Sequence, residues 1–299
     1  MRRRAAVALL LGPFFLLFTA VTLVPVGFAI YLSLWTQHSS GLGFGGVQQV
    51  FSGFGNYIRA LGDPAFRAGF LVIATYCLLY IPLLLGIALG LALLLDTTRA
   101  GGRRFFPLAL FLPHAVPGVI AALIWVYLYT PGLSPVVGAL SNGGLHVDFL
   151  AAGTTLPSVV NIAIWEWTGY NMVIFYAALQ AIPRELLEAA TLDGASGGRT
   201  AWHIKVPLIR PSLALTGLFT IIGSLQLFTE PMILHRSSAT IISTWTPNMY
   251  AYNAAFNRGD YGLAAASSVL LAVAAAALSS AVTRSGFRPG RQRRGTADA

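Results

Sequence analysis

With 299 residues, of which 56% are hydrophobic and only 10% charged, and a mean hydropathy of +0.70, this chain cannot divide itself into the core and wetted surface of an ordinary soluble protein. A net charge of +9 and a pI near 10.1 fit either a nucleic-acid binder or a membrane protein with basic inner loops, and the placement of the charges decides between them. The single cysteine, Cys77, lies in an apolar run and excludes a disulfide framework or a cysteine metal cluster.

Arg2, Arg3 and Arg4 precede an apolar run over residues 5–35. A signal-peptide core is only about 7 to 15 residues long, so this run reads as a retained first span, in which Pro13, Pro25 and Gly27 are tolerated. Residues 36–63 are rich in Gly, Gln, Ser and aromatics and read as an exterior loop with short surface helices. Residues 68–95 carry no charge and form a second span, closed by Asp96 and followed by Arg99, Arg103 and Arg104. Residues 105–147 are uncharged but too long for one span and too interrupted for two. Pro131, Pro135, Gly138, Gly143 and Gly144 place a third span at 105–129 and an exterior loop at 130–154. A fourth span covers 155–181 with Glu166 near its middle, a fifth covers 211–229, and an exterior segment rich in Trp, Tyr, Asn and Thr covers 230–260. The sixth span, 261–283, is Ala-rich, with Ser267, Ser268, Ser279 and Ser280 small enough for close helix approach. A tail bearing Arg284, Arg288, Arg291, Arg293 and Arg294 reads as disordered after Pro289.

Between the fourth and fifth spans, residues 182–211 form the one long polar interruption of the second half. Pro183 suits the first position of a helix, and Glu185 and Glu188 sit in its early turns. Leu186, Leu187, Ala189 and Ala190 give it an apolar face, and Asp193-Gly194 ends it. A second short segment is expected at 202–206, stopping before Pro207.

The run Glu188-Ala189-Ala190, then Asp193-Gly194-Ala195, Trp202, Ile204, Pro207 and Pro211, resembles the EAA loop of permease subunits of ATP-binding-cassette (ABC) importers. Wider similarity covers 67–283. Leu227-Phe228-Thr229-Glu230-Pro231, Trp245-Thr246-Pro247-Asn248 and Tyr261-Gly262-Leu263-Ala264-Ala265-Ala266 resemble the branch that imports sugars, oligosaccharides and glycerol phosphates. The resemblance implies an all-α, polytopic membrane helix bundle of six transmembrane helices with both termini cytoplasmic, in a bacterial inner membrane. Residues 1–66 would be the first helix and exterior loop, 67–284 the permease core, and 285–299 a basic cytoplasmic tail. It further implies that Glu188, Ala189, Ala190, Asp193, Gly194, Ala195 and Pro207 couple to an ATPase, with Glu188 bonding a basic residue there and Gly194 making the turn. The implied partners are a second permease subunit, two ATP-binding-cassette subunits that bind ATP and Mg, an extracytoplasmic solute-binding protein and the lipid bilayer.

The charges support this topology independently. Only four of the 19 basic residues, Arg59, Arg67, Arg236 and Arg258, fall outside the segments assigned to the interior, as the positive-inside rule expects. The high pI then needs no nucleic acid. No bond chemistry is expected from this chain, hence no enzyme activity, no cofactor and no metal of its own. His38, His114, His146, His203 and His235 are scattered, and no GxxxxGK[ST] phosphate loop occurs. Glu166, an ionisable residue at mid-membrane, either lines a substrate path with Trp165, Trp167, Asn171 and Gln226 or makes a structural bond to a partner subunit; Glu230 sits at the outer mouth or contacts a binding protein. The competing reading is a proton-coupled secondary transporter using Glu166 as relay.

Overall fold

The computed structural model describes residues 2–39, 47–97 and 105–286. Arg99, Arg103, Arg104 and the tail arginines from Arg288 onward lie outside the described residues.

The first span consists of α1 (Arg2–Phe18) and α2 (Val24–Ser33), joined by a wide π turn at Thr19–Leu23. Pro25 has no N–H and its ring crowds the carbonyl four residues back, so the helix widens ahead of it without breaking. The most apolar stretch of this rod is nowhere buried within the chain, so lipid or another subunit must cover it. Two strands follow, β1 (Trp35–Ser39) and β2 (Val47–Phe51), paired antiparallel with Trp35 opposite Phe51. This ribbon departs from the expected loop with helices alone: the Trp35 and Phe51 rings meet edge to face at 5.5 Å, a cross-strand pair that favours extended backbone. Next come α3 (Gly55–Gly62) and α4 (Pro64–Thr97), the latter about 51 Å long at 1.5 Å per residue and therefore longer than a bilayer core.

The expected single span over 105–129 is instead broken. α5 (Phe105–Phe111) tightens into a turn at Leu112–Ala115, and α6 (Gly118–Tyr129) leaves at 92° to it. The cause is Pro117, which forces Val116 into the extended region (ψ 128°) and removes a helical N–H. α7 (Pro135–Asn142) is capped by Ser134, whose Oγ accepts from the amides of Val136 and Val137, both at 3.1 Å. There follow α8 (Thr155–Gln180), α9 (Arg184–Leu192), α10 (Gly197–Thr200), a π turn at Ala201–Lys205, α11 (Val206–Leu208) and α12 (Arg210–Leu225). The chain closes with α13 (Thr229–Leu234), α14 (Pro247–Tyr252) and α15 (Tyr261–Gly286). Among the described residues, four helical stretches are long and apolar enough to cross a membrane, and five if the bent α5–α6 pair is one span. α8 is as long as a span, but Asn161, Glu166 and Asn171 make it less apolar than the others.

The chain forms two compact units: Met1–Val72 with Ser243–Ala274, and Ile73–Ile242 with Ala275–Ala299. In the first, Ala60, Phe66, Tyr250, Ala254, Leu263 and Ala264 make the core, and buried Asn56 donates to the carbonyls of Ser33 (2.9 Å), the last residue of α2, and Trp35 (2.8 Å), the first of β1. Asp63 accepts from the Tyr250 hydroxyl at 2.7 Å and from the Ala65 amide at 2.9 Å. Burial pulls its carboxyl upward, but the Tyr250 bond, the Ala65 amide, the Arg258 charge and the Phe66 amide outweigh that and hold it below the ordinary aspartate value. Burial, together with Asp63, pushes the Tyr250 phenol up to about 12. In the second unit, Ala88 and Ala92 of α4 let Met172, Phe175 and Leu179 of α8 pack closely, and Ile182 and Ile209, at the two ends of the polar loop, close the same core.

Candidate functional site

The polar loop at 182–211 folds as a helical elbow. Its first arm, α9, opens on Pro183 and ends in a complete double-bonded cap: Gly194 adopts φ +74°, its amide donates to Thr191 O (3.0 Å), and the Ala195 amide donates to Ala190 O (2.9 Å). Only glycine takes that backbone without strain. Ser196 then caps the second arm by accepting from the Arg199 amide. The second arm is longer than the expected 202–206. It runs from Gly197 through the π turn to Leu208, because the widened turn absorbs the missing N–H of Pro207.

Ala190 is buried and Leu187 packs on the core of its unit, while Glu188, Ala189, Asp193 and Gly194 are exposed. Leu192 is 89% exposed and Trp202 64%, so the elbow presents large apolar groups beside a carboxylate.

The elbow is tied to the spans by a cluster that sequence reasoning missed. Asp96, one residue from the end of α4, forms an ion pair with Lys205 of the second arm, and Gln180 Nε2, at the end of α8, donates to Asp96 Oδ1 at 2.6 Å. The Lys205 and Asp96 side chains are only 12% and 9% exposed. Asp96 and Lys205 stand 109 positions apart, and no sequence signal joins them.

Within the same unit lies a cavity of about 470 Å³, lined from α4 by Tyr76 and Tyr80, from α8 by Trp167, Tyr170 and Asn171, and from α12, α13 and the bend between them by Thr216, Thr220, Ser224, Gln226 and Glu230. It therefore brings together four of the expected path residues, Trp167, Asn171, Gln226 and Glu230. Trp165 and Glu166 are not among its lining residues: Trp165 falls on another side of α8, whereas Glu166, four residues before Tyr170, flanks the lining face. Trp165 meets Trp125 edge to face at 5.9 Å. Glu166 Oε1 lies 3.7 Å from where a Cβ on Gly118 would stand, at the first residue of α6, where the helix dipole favours a carboxylate. Its Oε2 is buried with no hydrogen-bond partner among the described residues. Tyr76 and Tyr80 were legible only as two tyrosines four apart in an uncharged run.

Three of the cavity's polar side chains direct a donor back to their own helix. Thr220 and Ser224 spend their hydroxyl protons on the carbonyls of Thr216 (2.9 Å) and Thr220 (2.7 Å), and the Asn171 amide donates to Trp167 O (2.8 Å). None of the lining residues is basic.

Apolar spans, a cavity with polar and aromatic groups in its lining, and an exposed helical elbow fastened to α4 and α8 fit a multi-pass membrane transport subunit. The family profile described as binding-protein-dependent transport system inner membrane component matches residues 82–287, and the chain belongs to that family. It is 30% identical over 274 residues, covering 90% of each chain, to the sn-glycerol-3-phosphate transport system permease protein UgpA of Agrobacterium fabrum. It is also 29% identical over 271 residues to the diacetylchitobiose uptake system permease protein NgcF of Streptomyces coelicolor, covering 86% of this chain and 75% of that one. Among solved structures, a bacterial ABC transporter for import of the acidic polysaccharide alginate superposes with a TM-score of 0.84 at 22% identity, over 97% of this chain and 98% of that one, which shows a shared fold.

Proposed function

We propose that this chain is the transmembrane permease subunit of an ATP-driven importer in a bacterial inner membrane, and that its solute is an uncharged carbohydrate. The observation that carries this is continuity between elbow and cavity. α8 supplies Trp167, Tyr170 and Asn171 to the cavity and runs straight into the first arm, and α12 supplies Thr216, Thr220 and Ser224 and runs straight out of the second. A partner pressing on the elbow moves two walls of the cavity.

Glu188, Ala189, Asp193 and Gly194, with Leu192 and Trp202, form the docking face for an ATPase that binds ATP and Mg, and Ala190, Ala195 and Pro207 hold its shape. One ATPase copy serves this subunit and a second serves a partner permease, which also covers part of the otherwise bare first span. Counting α8 as a sixth crossing puts both termini and the elbow in the cytoplasm, the side that the basic residues favour. An extracytoplasmic binding protein delivers the solute.

The relatives are named for a phosphate ester and for a neutral disaccharide, and the cavity chemistry favours the second kind. A phosphate or carboxylate would find no cation among the lining residues and would remain an unpaired charge in a low-dielectric site, at a cost of several kcal/mol. Sugar hydroxyls instead find acceptors at Asn171, Thr220, Ser224 and Glu230 and aromatic faces at Trp167 and Tyr170. The test is uptake by the reconstituted complex with its binding protein. ATP-dependent accumulation of labelled diacetylchitobiose in preference to sn-glycerol 3-phosphate, unchanged when the proton gradient is collapsed, is expected. Uptake that follows the proton gradient and ignores ATP would restore the relay reading of Glu166.

A further inference from the structure

The elbow continues directly into α8 and α12, whereas its polar fastening to α4 runs through one carboxylate. Asp96 holds Gln180, the last residue of α8 before the elbow, on Oδ1 and Lys205, in the arm that leaves it, on Oδ2. Both ends of the elbow therefore close on the last turn of α4, a helix that no backbone connection would otherwise bring to this loop. The other contacts of this core include the apolar side chains of Leu95, Leu179, Ile182, Ile209 and Leu187. Dispersion contacts of this kind are non-directional, whereas an ion pair with a second hydrogen bond fixes distance and orientation. The side chains of Asp96 and Lys205 are nearly enclosed, so solvent does little to screen them.

We infer that Asp96 is the positioning residue that couples the elbow to the cavity, by locking Lys205 and Gln180 to α4 so that movement of the elbow displaces α4 together with α8 and α12. The consequence is specific, since α4 carries Tyr76 and Tyr80 into the cavity and has no direct backbone connection with the elbow. Without the lock the elbow still docks and the ATPase still turns over, but one wall of the cavity no longer follows. This inference rests on the importer reading above.

The test uses the full complex with its ATPases and binding protein, in proteoliposomes, with uptake and ATP hydrolysis measured together. Asp96→Asn and Lys205→Met are each expected to keep the ATPase in the purified complex and to lower solute transported per ATP by about tenfold, within the usual span of coupling free energies. The exchanged pair, Asp96→Lys with Lys205→Asp, is expected to restore most of that ratio, which a purely packing role would not produce. An unchanged ratio in the single variants overturns the inference, and so does an assembled exchange variant that shows no recovery. Loss of the ATPase from either single variant also overturns it, because the carboxylate would then be maintaining the docking face and not relaying its movement. Failure of the unmodified complex to drive uptake with ATP would instead sink the importer reading itself.

Discussion

Gly169 of α8 and Leu110 of α5 are in backbone contact: a Cβ at Gly169 would stand 1.8 Å from the Leu110 carbonyl oxygen and 2.4 Å from its carbon. That approach seats the broken α5–α6 segment on α8 and sets the His114 ring 4.6 Å from Trp167 and 4.7 Å from Tyr170, behind the cavity wall. Since the obstacle is backbone, no rotamer change relieves it. Gly169→Ala should cost about 1 to 3 kcal/mol of overpacking strain and Gly169→Leu should prevent assembly. A melting curve of the detergent-purified complex unchanged by the alanine would refute the contact.

Glu188 is exposed in this chain, so its removal should leave the subunit folded and in the membrane. Glu188→Ala should weaken ATPase docking by about 2 to 5 kcal/mol if the partner encloses and pairs the carboxylate, and by about 0 to 1 kcal/mol if the charge stays at the rim. Gly194→Val acts differently, since a β-branched side chain at φ +74° strains the cap by about 1 to 3 kcal/mol and re-aims both arms. Titration of the purified ATPase against vesicles holding each variant separates the two effects. Full-strength binding to the valine variant would show that the angle of the elbow is irrelevant.

How much of this was legible beforehand follows from the range over which each signal acts. Spans and elbow announce themselves locally, through charge-free runs and through Pro183, Gly194 and the acids between them. The bend at Val116–Pro117 was equally local, but the greater density of Pro and Gly after Tyr129 drew the break downstream. The cavity was half legible. A carboxylate, an amide or an indole in a span marks a polar face, yet which of Trp165, Glu166 and Trp167 shares that face with Asn171 depends on the rotation of α8 against α4 and α12. Asp96 and Lys205 carried no mark at all, one reading as the end of a span and the other as one more cytoplasmic charge.

The cavity chemistry predicts which substitutions alter selectivity without altering assembly. Asn171→Ala removes an acceptor and should lower the apparent affinity for a neutral disaccharide by about 2- to 10-fold, the worth of one uncharged hydrogen bond. Trp167→Ala removes a stacking face and should act in the same direction. Thr220→Lys, by contrast, places a cation in a cavity that lacks one, and should raise uptake of an anionic sugar relative to the neutral one. Competition assays with paired neutral and phosphorylated sugars measure all three. Equal discrimination in wild type and the lysine variant would remove the cavity from the solute path.

The Asp63–Tyr250 bond gives a prediction with a definite pH signature. Asp63 titrates below the ordinary aspartate value in the folded chain, so its contribution is complete above about pH 4 and is lost as pH falls through the depressed value. Tyr250 titrates near 12, above the ordinary phenol value of about 10, so its contribution is complete below about pH 10 and is lost as pH rises toward 12. Tyr250→Phe removes the shared hydrogen bond and should destabilise the subunit by about 1 to 2 kcal/mol between these limits. The melting difference between wild type and this variant should therefore form a plateau from about pH 5 to pH 9 and narrow on both sides, as Asp63 protonates at one end and Tyr250 ionises at the other. A variant that melted with wild type at every pH would mean that Tyr250 matters through its ring packing on Phe66, 5.1 Å away, which phenylalanine keeps, and not through its proton.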